Sequence, residues 1–148
     1  MKKKLLPALL LIADFLWIWF ILSRSYQPAA VSSRESGWVL ELVRRLLPFA
    51  TMRLVRKAAH VTEFFILGAL FFFTWTVLKK PGVLVPCTAG LLIAICDELS
   101  QLFSQGRSCE FPDILLDFSG VLAAVLGLFL LFRVLRKRKR QSPCSTGD

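Results

Sequence analysis

The chain has 148 residues, of which 55% belong to the apolar set AVILMFWYC, and its mean hydropathy is +0.61. A soluble domain of this length cannot bury that much apolar surface, so the composition excludes a soluble fold. The formal net charge of +9 must then be separated from long apolar segments. This composition is typical of a membrane protein and leaves no room for a separate soluble catalytic domain.

Four apolar segments are each long enough to cross about 30 Å of hydrocarbon as a helix. They cover residues 5–22, 58–78, 82–103 and 113–135. The first follows three lysines, as a signal peptide would, but its core is too long and too rich in tryptophan, so we favour an uncleaved anchor. We therefore predict an all-α integral membrane protein with four transmembrane helices. Residues 1–136 form a single domain, and residues 137–148 form a basic, disordered cytoplasmic tail.

The segment between the first two spans contains one further predicted helix. Five apolar residues recur at near-helical spacing between Val39 and Leu47, and Glu41, Arg44 and Arg45 lie on the opposite face. This pattern predicts an amphipathic helix on the membrane surface, entered at Ser36-Gly37 and ended near Pro48. A re-entrant helix packed on the bundle is the alternative.

The distribution of basic residues predicts the orientation. Eleven of the nineteen Lys and Arg residues lie on the side of the two termini, which favours a multi-pass protein of the cell membrane with both termini in the cytoplasm. The basic run that follows the fourth span is typical of a lipid headgroup anchor. We accordingly predict the lipid bilayer as a partner and no nucleic acid.

Polar side chains enter three of the apolar segments near one end. The second span opens with Lys57, His60 and Glu63, the third closes with Asp97, Glu98 and Gln101, and the fourth opens with Asp113 and Asp117. The connections between these spans are short, so the three helices should be antiparallel neighbours whose polar ends share one leaflet. Small residues continue the same faces deeper into the third and fourth spans, which should let these helices pack closely: Cys87, Gly90, Ala94, Gly120, Ala124, Gly127.

This cluster is expected to be short of cations. Five carboxylates face Lys57, Arg107 and, at most, Arg56, so some must bind or share a proton, recruit a divalent metal or bind a cationic group. His60 among them is a candidate general acid or base. One histidine with several carboxylates permits metal binding, but no HExxH or paired-histidine spacing is present, so we assign no metal and no cofactor. A buried ion-pair network that only fixes helix packing is the structural alternative.

The same residues lie in blocks that resemble the signature blocks of VanZ-like membrane proteins, in the same order and spacing. The likeness covers roughly residues 16 to 128, and its blocks are Val55–Phe64, Asp97–Phe103, Gly106–Ser108 and Asp113–Gly120. Many members carry a second histidine where this chain has Ser100, which places a two-histidine mechanism or metal site in doubt. The family is named for a teicoplanin-resistance protein, so the resemblance implies a role in the cell envelope and in resistance to lipid-anchored glycopeptides.

Three functions remain open from the sequence. An enzyme acting on a lipid-linked cell-wall precursor or lipid head group would use His60 or Glu63 as the base and Asp97 or Glu98 as its partner. In that reading the substrate would be bound by the remaining matched residues, with the two cations holding an anionic head group: Lys57, Gln101, Arg107, Asp113, Asp117. The second function is a proton- or ligand-responsive binding module or a small transporter, for which four spans would require a homodimer. The third is the structural ion-pair network.

Overall fold

The structure is a computed structural model that describes residues 2–79, 81–107 and 109–141. In these ranges the chain forms five α-helices and no strand: α1 (Lys2–Ser25), α2 (Ala29–Arg44), α3 (Met52–Leu78), α4 (Leu84–Gln101) and α5 (Phe111–Gln141). Four of them, α1, α3, α4 and α5, are long and apolar enough to cross a membrane. The predicted all-α fold with four membrane-spanning helices is therefore confirmed.

Helix α2 lies where a helix was predicted, but it begins well before the predicted entry, directly after Pro28. The predicted entry at Ser36-Gly37 is wrong, because the helix continues through Gly37. Leu40 is buried and packs with Ala50 and Val55 at the start of α3. Other apolar side chains of this segment stay exposed, among them Trp38, Leu42 and Leu46.

Helix α3 begins six residues before the predicted start of the second span. Thr51 is its N-cap, and the Thr51 side-chain oxygen accepts a hydrogen bond from the backbone N–H of Leu54 at 3.3 Å. The 27 residues of α3 make a helix roughly 40 Å long. Because this exceeds a hydrocarbon layer of about 30 Å, its first turns, which carry Lys57, can stand in the headgroup layer.

Helix α5 extends past its predicted end at residue 135 as far as Gln141, so residues 137–141 of the predicted disordered tail are helical. The rest of that tail, residues 142–148, lies outside the described residues, as does Ser108 of the third signature block.

Small residues set the close packing of α3, α4 and α5. A Cβ atom on Gly120 would lie 2.4 Å from the backbone oxygen of Val61, so the α3 and α5 backbones touch there. A Cβ atom on Gly68 would lie 2.9 Å from the backbone of Val121, and one on Gly90 would lie 2.5 Å from the Val121 side chain. Val121 lies in the main apolar core with Phe64. Gly127, which the sequence placed on the same face, is exposed, and a Cβ atom added to it would meet no other atom within 4 Å.

The polar ends of the helices meet on one side of the bundle, as chain direction predicted. Lys57 at the start of α3 pairs with Asp113 at the start of α5, and His60 faces Asp97 near the end of α4. The end of α1 joins them, because the Ser104 hydroxyl donates to the backbone oxygen of Ser25 at 2.9 Å. The last three helices are therefore antiparallel neighbours in sequence order.

Candidate functional site

A cavity of about 350 Å³ opens between these polar ends. Its walls come from α3, α4, α5 and the loop between α4 and α5. Seven of the nine predicted site residues line it: Lys57, His60, Glu98, Gln101, Arg107, Asp113 and Asp117. Six of these residues lie on the three helices, and Arg107 lies on the loop between α4 and α5.

The other two predicted residues, Asp97 and Glu63, lie behind the cavity wall. Asp97 is fully buried on α4 and contacts the site through His60. Glu63 is one turn deeper on α3, and its Oε1 lies 3.6 Å from Nε of Arg24 on α1. Glu63 is therefore held by a cation from α1 and does not face the open space, whereas His60 does.

His60, Asp97 and Asp117 converge at one point, and we call them the buried triad. The Nδ1 atom of His60 lies 4.0 Å from Oδ2 of Asp97 and 4.0 Å from Oδ1 of Asp117, too far for a hydrogen bond. The two carboxylate side chains are 0% and 3% exposed. Among the described residues, neither His60 Nδ1 nor Asp97 Oδ1 has a hydrogen-bond partner.

Each oxygen of the Glu98 carboxylate accepts a hydrogen bond from the protein. Its Oε2 accepts from Nε2 of Gln101 at 3.0 Å, and its Oε1 accepts from the backbone N–H of Glu110 at 2.6 Å. The Glu98 carboxylate thereby ties the end of α4 to the loop that leads into α5. Gln101 also reaches Oδ2 of Asp97 at 3.4 Å, which connects this network to the buried triad.

The rim of the cavity carries more positive charge than the sequence predicted. Lys57 Nζ lies 2.5 Å from Asp113 Oδ1, and Arg53 and Arg56 line the cavity beside it. With Arg24 bound to Glu63, the predicted shortage of cations is smaller than expected. Arg24 was missed because it ends the first span, although chain direction alone would have placed it at this end.

Arg107 lines the cavity, and two of its guanidinium nitrogens have no hydrogen-bond partner among the described residues. Its Nε and Nη1 atoms are buried and make no hydrogen bond to that part of the chain. Burial, followed by the neighbouring Arg56, lowers the pKa of the Arg107 guanidinium from its usual value. The preceding residue, Gly106, has a φ of 75°, a left-handed conformation that favours glycine. An anion in the cavity would relieve both the missing hydrogen bonds and the repulsion from Arg56.

Ser100, which stands where many VanZ-like proteins have histidine, does not line the cavity. Its hydroxyl donates to the backbone oxygen of Asp97 at 2.6 Å, one turn back along α4. The three groups that converge at the base of the cavity do not include this position. The absence of a second histidine at position 100 therefore does not affect the buried triad.

The arrangement combines two kinds of chemistry in one space. The rim offers hydrogen-bond donors and positive charge to an anion, and the base offers an imidazole between two carboxylates for a proton or a cation.

The chain has no match among curated proteins and none among solved structures. The model of the family described as VanZ/LLP1 matches residues 10–135, which contain the whole cavity. The chain thus belongs to the VanZ/LLP1 family.

Proposed function

We propose that the protein binds the anionic head group of a membrane lipid or lipid-linked cell-wall precursor in this cavity and acts on it chemically. The observation that carries the proposal is Arg107, whose buried guanidinium has two nitrogens without a partner among the described residues and faces an open polar space. A guanidinium with unused N–H donors binds phosphate well, because it stays charged and its hydrogen bonds to phosphate oxygens are charge-assisted.

The rest of the cavity supports the same substrate class. Arg53 and Arg56 also line the cavity and add positive charge to its rim. Lys57 is held by Asp113 and fixes the start of α3 against the start of α5. His60, at the base, is the group that can exchange a proton with a bound head group.

The location of the cavity at one end of the bundle suits a substrate that enters from the lipid headgroup layer. If both termini are cytoplasmic, as the basic residues predict, this end faces the outer leaflet. A protein that changes a surface lipid there would alter the layer in which teicoplanin, an acylated glycopeptide, anchors. We therefore propose an envelope role in resistance to teicoplanin-type antibiotics.

The test is head-group binding by the purified full chain. In detergent, the chain is titrated calorimetrically with short-chain phosphatidylglycerol, which is anionic, and with short-chain phosphatidylcholine, which is zwitterionic. We expect tighter binding of phosphatidylglycerol and a loss of at least about tenfold in its affinity in R107A, since a charge-assisted pair is removed. The matched control is R45A, which removes an exposed arginine just after α2 and outside the cavity. Equal affinities in R107A and R45A would refute the proposal.

Replacement of His60 separates chemistry from a purely structural network. In cells that make equal amounts of each variant, H60A should abolish the change in lipid and cell-wall precursor profile and the resistance to teicoplanin. If H60A instead lowers the protein level in proportion to the loss of resistance, the ion-pair network alone accounts for the cluster.

A proton-responsive binding module or small transporter is the second candidate, and the buried triad favours it. Two buried carboxylates beside an imidazole, 4.0 Å from it, form a group that can load and release protons. This function predicts an unchanged lipid profile together with proton uptake into vesicles that contain the purified chain, and it predicts a homodimer in native mass spectra.

A further inference from the structure

Within the part of the chain that the structure describes, the two carboxylates of the buried triad are not neutralised by an ion pair with a cation of the rim. Asp97 and Asp117 are each nearly or fully buried, and the ion-pair contacts that the described residues offer them within 4.0 Å come from His60 alone. Lys57 pairs with Asp113 and Arg24 with Glu63. Arg107 interacts electrostatically with Asp97 but forms no ion pair with it within 4.0 Å among the described residues. Two carboxylates thus face each other across a single imidazole.

The spacing of the triad is that of a ligand set. One ligand atom from each of the three residues can be chosen so that all three atoms lie within 4.8 Å of one another. Metal–ligand bonds of about 2.0–2.2 Å place three ligands of one cation about 3.3–3.8 Å apart in tetrahedral or trigonal geometry. The three groups would therefore have to approach one another by on the order of 1 Å to bind a cation between them.

Two observations beyond the clustering of acidic residues indicate that a ligand or ion binds at the buried triad. Asp97 is fully buried, and its Oδ1 makes no hydrogen bond of good geometry in the described part of the chain, although the Ser25 hydroxyl lies near its carboxylate. His60 Nδ1 is buried and unpartnered there as well. Buried polar atoms are normally satisfied, and a group left without a partner calls for a ligand or ion. His60 and Asp117 also line the cavity, so a solute can reach them.

We propose that His60, Asp97 and Asp117 bind one divalent transition-metal cation at the base of the cavity. One imidazole nitrogen with two carboxylate oxygens is a mixed ligand set, which suits Mn²⁺ or Zn²⁺ better than the all-oxygen preference of Mg²⁺ or Ca²⁺. Three protein ligands leave coordination positions open toward the cavity, as in catalytic rather than structural metal sites.

This metal site deepens the proposed function. It depends on that function in one respect only, because the bound head group would supply the fourth ligand of the cation. A cation at this point would lie across the cavity from the rim cations and would bind an oxygen of the same anionic head group. At His60 Nδ1 the metal and the proton exclude each other, because a nitrogen that coordinates a cation cannot also carry a proton. Metal binding would thus replace His60 as the proton-exchanging group.

The experiment is a metal titration of the full-length protein. The chain is purified in detergent, stripped with a chelator, dialysed into metal-free buffer and titrated with Mn²⁺, Zn²⁺ and Mg²⁺ by calorimetry. We expect one Mn²⁺ or Zn²⁺ per chain, weaker binding of Mg²⁺, and a loss of affinity of at least about tenfold in H60Q and in D117N. The electron spin echo of bound Mn²⁺ should show modulation by a histidine nitrogen in the native chain and none in H60Q.

The control is E41Q, which removes an exposed carboxylate of α2 outside the cavity and should bind metal as the native chain does. H60Q is the leading variant because His60 is the least buried of the three and its loss is the least disruptive to folding. Metal affinity that is absent, or equal in H60Q and E41Q, overturns the inference. The phosphatidylglycerol titration of R107A is repeated in the presence of chelator, so that a failure of metal binding leaves the result for Arg107 unaffected.

Discussion

At the scale of single residues, Asp14 shows how a polar group is accommodated in the middle of a span. It lies on α1 with 7% of its surface exposed, and its Oδ2 accepts a hydrogen bond from the Thr74 hydroxyl of α3 at 2.7 Å. The sequence shows the unusual carboxyl but not its partner, because the two residues are 60 positions apart and no pattern connects α1 to α3. The pairing follows only from how the helices are packed.

Replacement of Thr74 by valine should destabilise the bundle. T74V keeps the shape of the side chain but leaves the Asp14 carboxyl without its donor, and a buried polar group without a partner costs about 1–3 kcal/mol. The free energy of unfolding, measured by denaturant titration in detergent, should fall by that amount. The matched control is T76V, because the Thr76 hydroxyl is buried without a partner among the described residues and its loss should be neutral. Similar losses in both variants would contradict this account.

The convergence of the site residues could largely be expected from the spacing of individual polar residues in the sequence. The i, i+3 and i, i+4 spacings put His60, Asp97 and Asp117 on inward faces, and short connections put those faces at one end. What spacing cannot give is the choice of partner among several cations. Glu63 pairs with Arg24 instead of joining His60 at the cavity, and Glu98 uses its oxygens on Gln101 and the α4–α5 loop. Such choices depend on small differences in distance, which a periodic pattern does not contain.

At the scale of elements, the contact between α3 and α5 aligns the two helices that carry the rim. Gly120 allows the α5 backbone to meet the backbone oxygen of Val61, and the Lys57–Asp113 pair lies further along the same contact. Small residues at steps of three and four predicted close packing of the third and fourth spans, whereas the closest approach of Gly120 is to α3. The sequence also placed Gly127 on this face, which is wrong, because no neighbouring helix comes near that position in the described chain.

An alanine at Gly120 should separate the two helices. Its Cβ would lie 2.4 Å from a backbone atom that can move only if α3 moves, and overpacking of this kind costs about 1–3 kcal/mol. We expect G120A to lower the free energy of unfolding by this amount and to weaken phosphatidylglycerol binding. G127A is the control on the same helix, where the added methyl group meets open space. If G120A is as stable as G127A, the two backbones are not in contact.

At the scale of the whole molecule, four spans place the start and the end of the chain on the same side of the membrane. Hydropathy alone predicted the number of spans, because an apolar segment of about 20 residues is typical of a transmembrane helix. The limits of the spans were less accurate. The polar first turns of α3 fold as helix because Thr51 caps them and α2 covers them through Leu40, and neither effect is visible in hydropathy.

Labelling of cysteines tests which side faces the cytoplasm. In variants with a single cysteine, Cys109 at the cavity end should react with a membrane-impermeant maleimide in intact cells. Cys144 near the C-terminus should react only after permeabilisation, since the basic residues predict cytoplasmic termini. The reverse pattern would place the cavity in the inner leaflet and remove the proposed link to teicoplanin.

The short span of α4 has a consequence for the surrounding lipid. Its 18 residues cover about 27 Å, less than an average hydrocarbon layer of about 30 Å, whereas α3 is much longer. Leu84 and Leu99, near the two ends of α4, are both exposed. The bilayer should therefore be thinner beside α4. A lipid head group at that position would lie closer to His60 than one in a bilayer of average thickness.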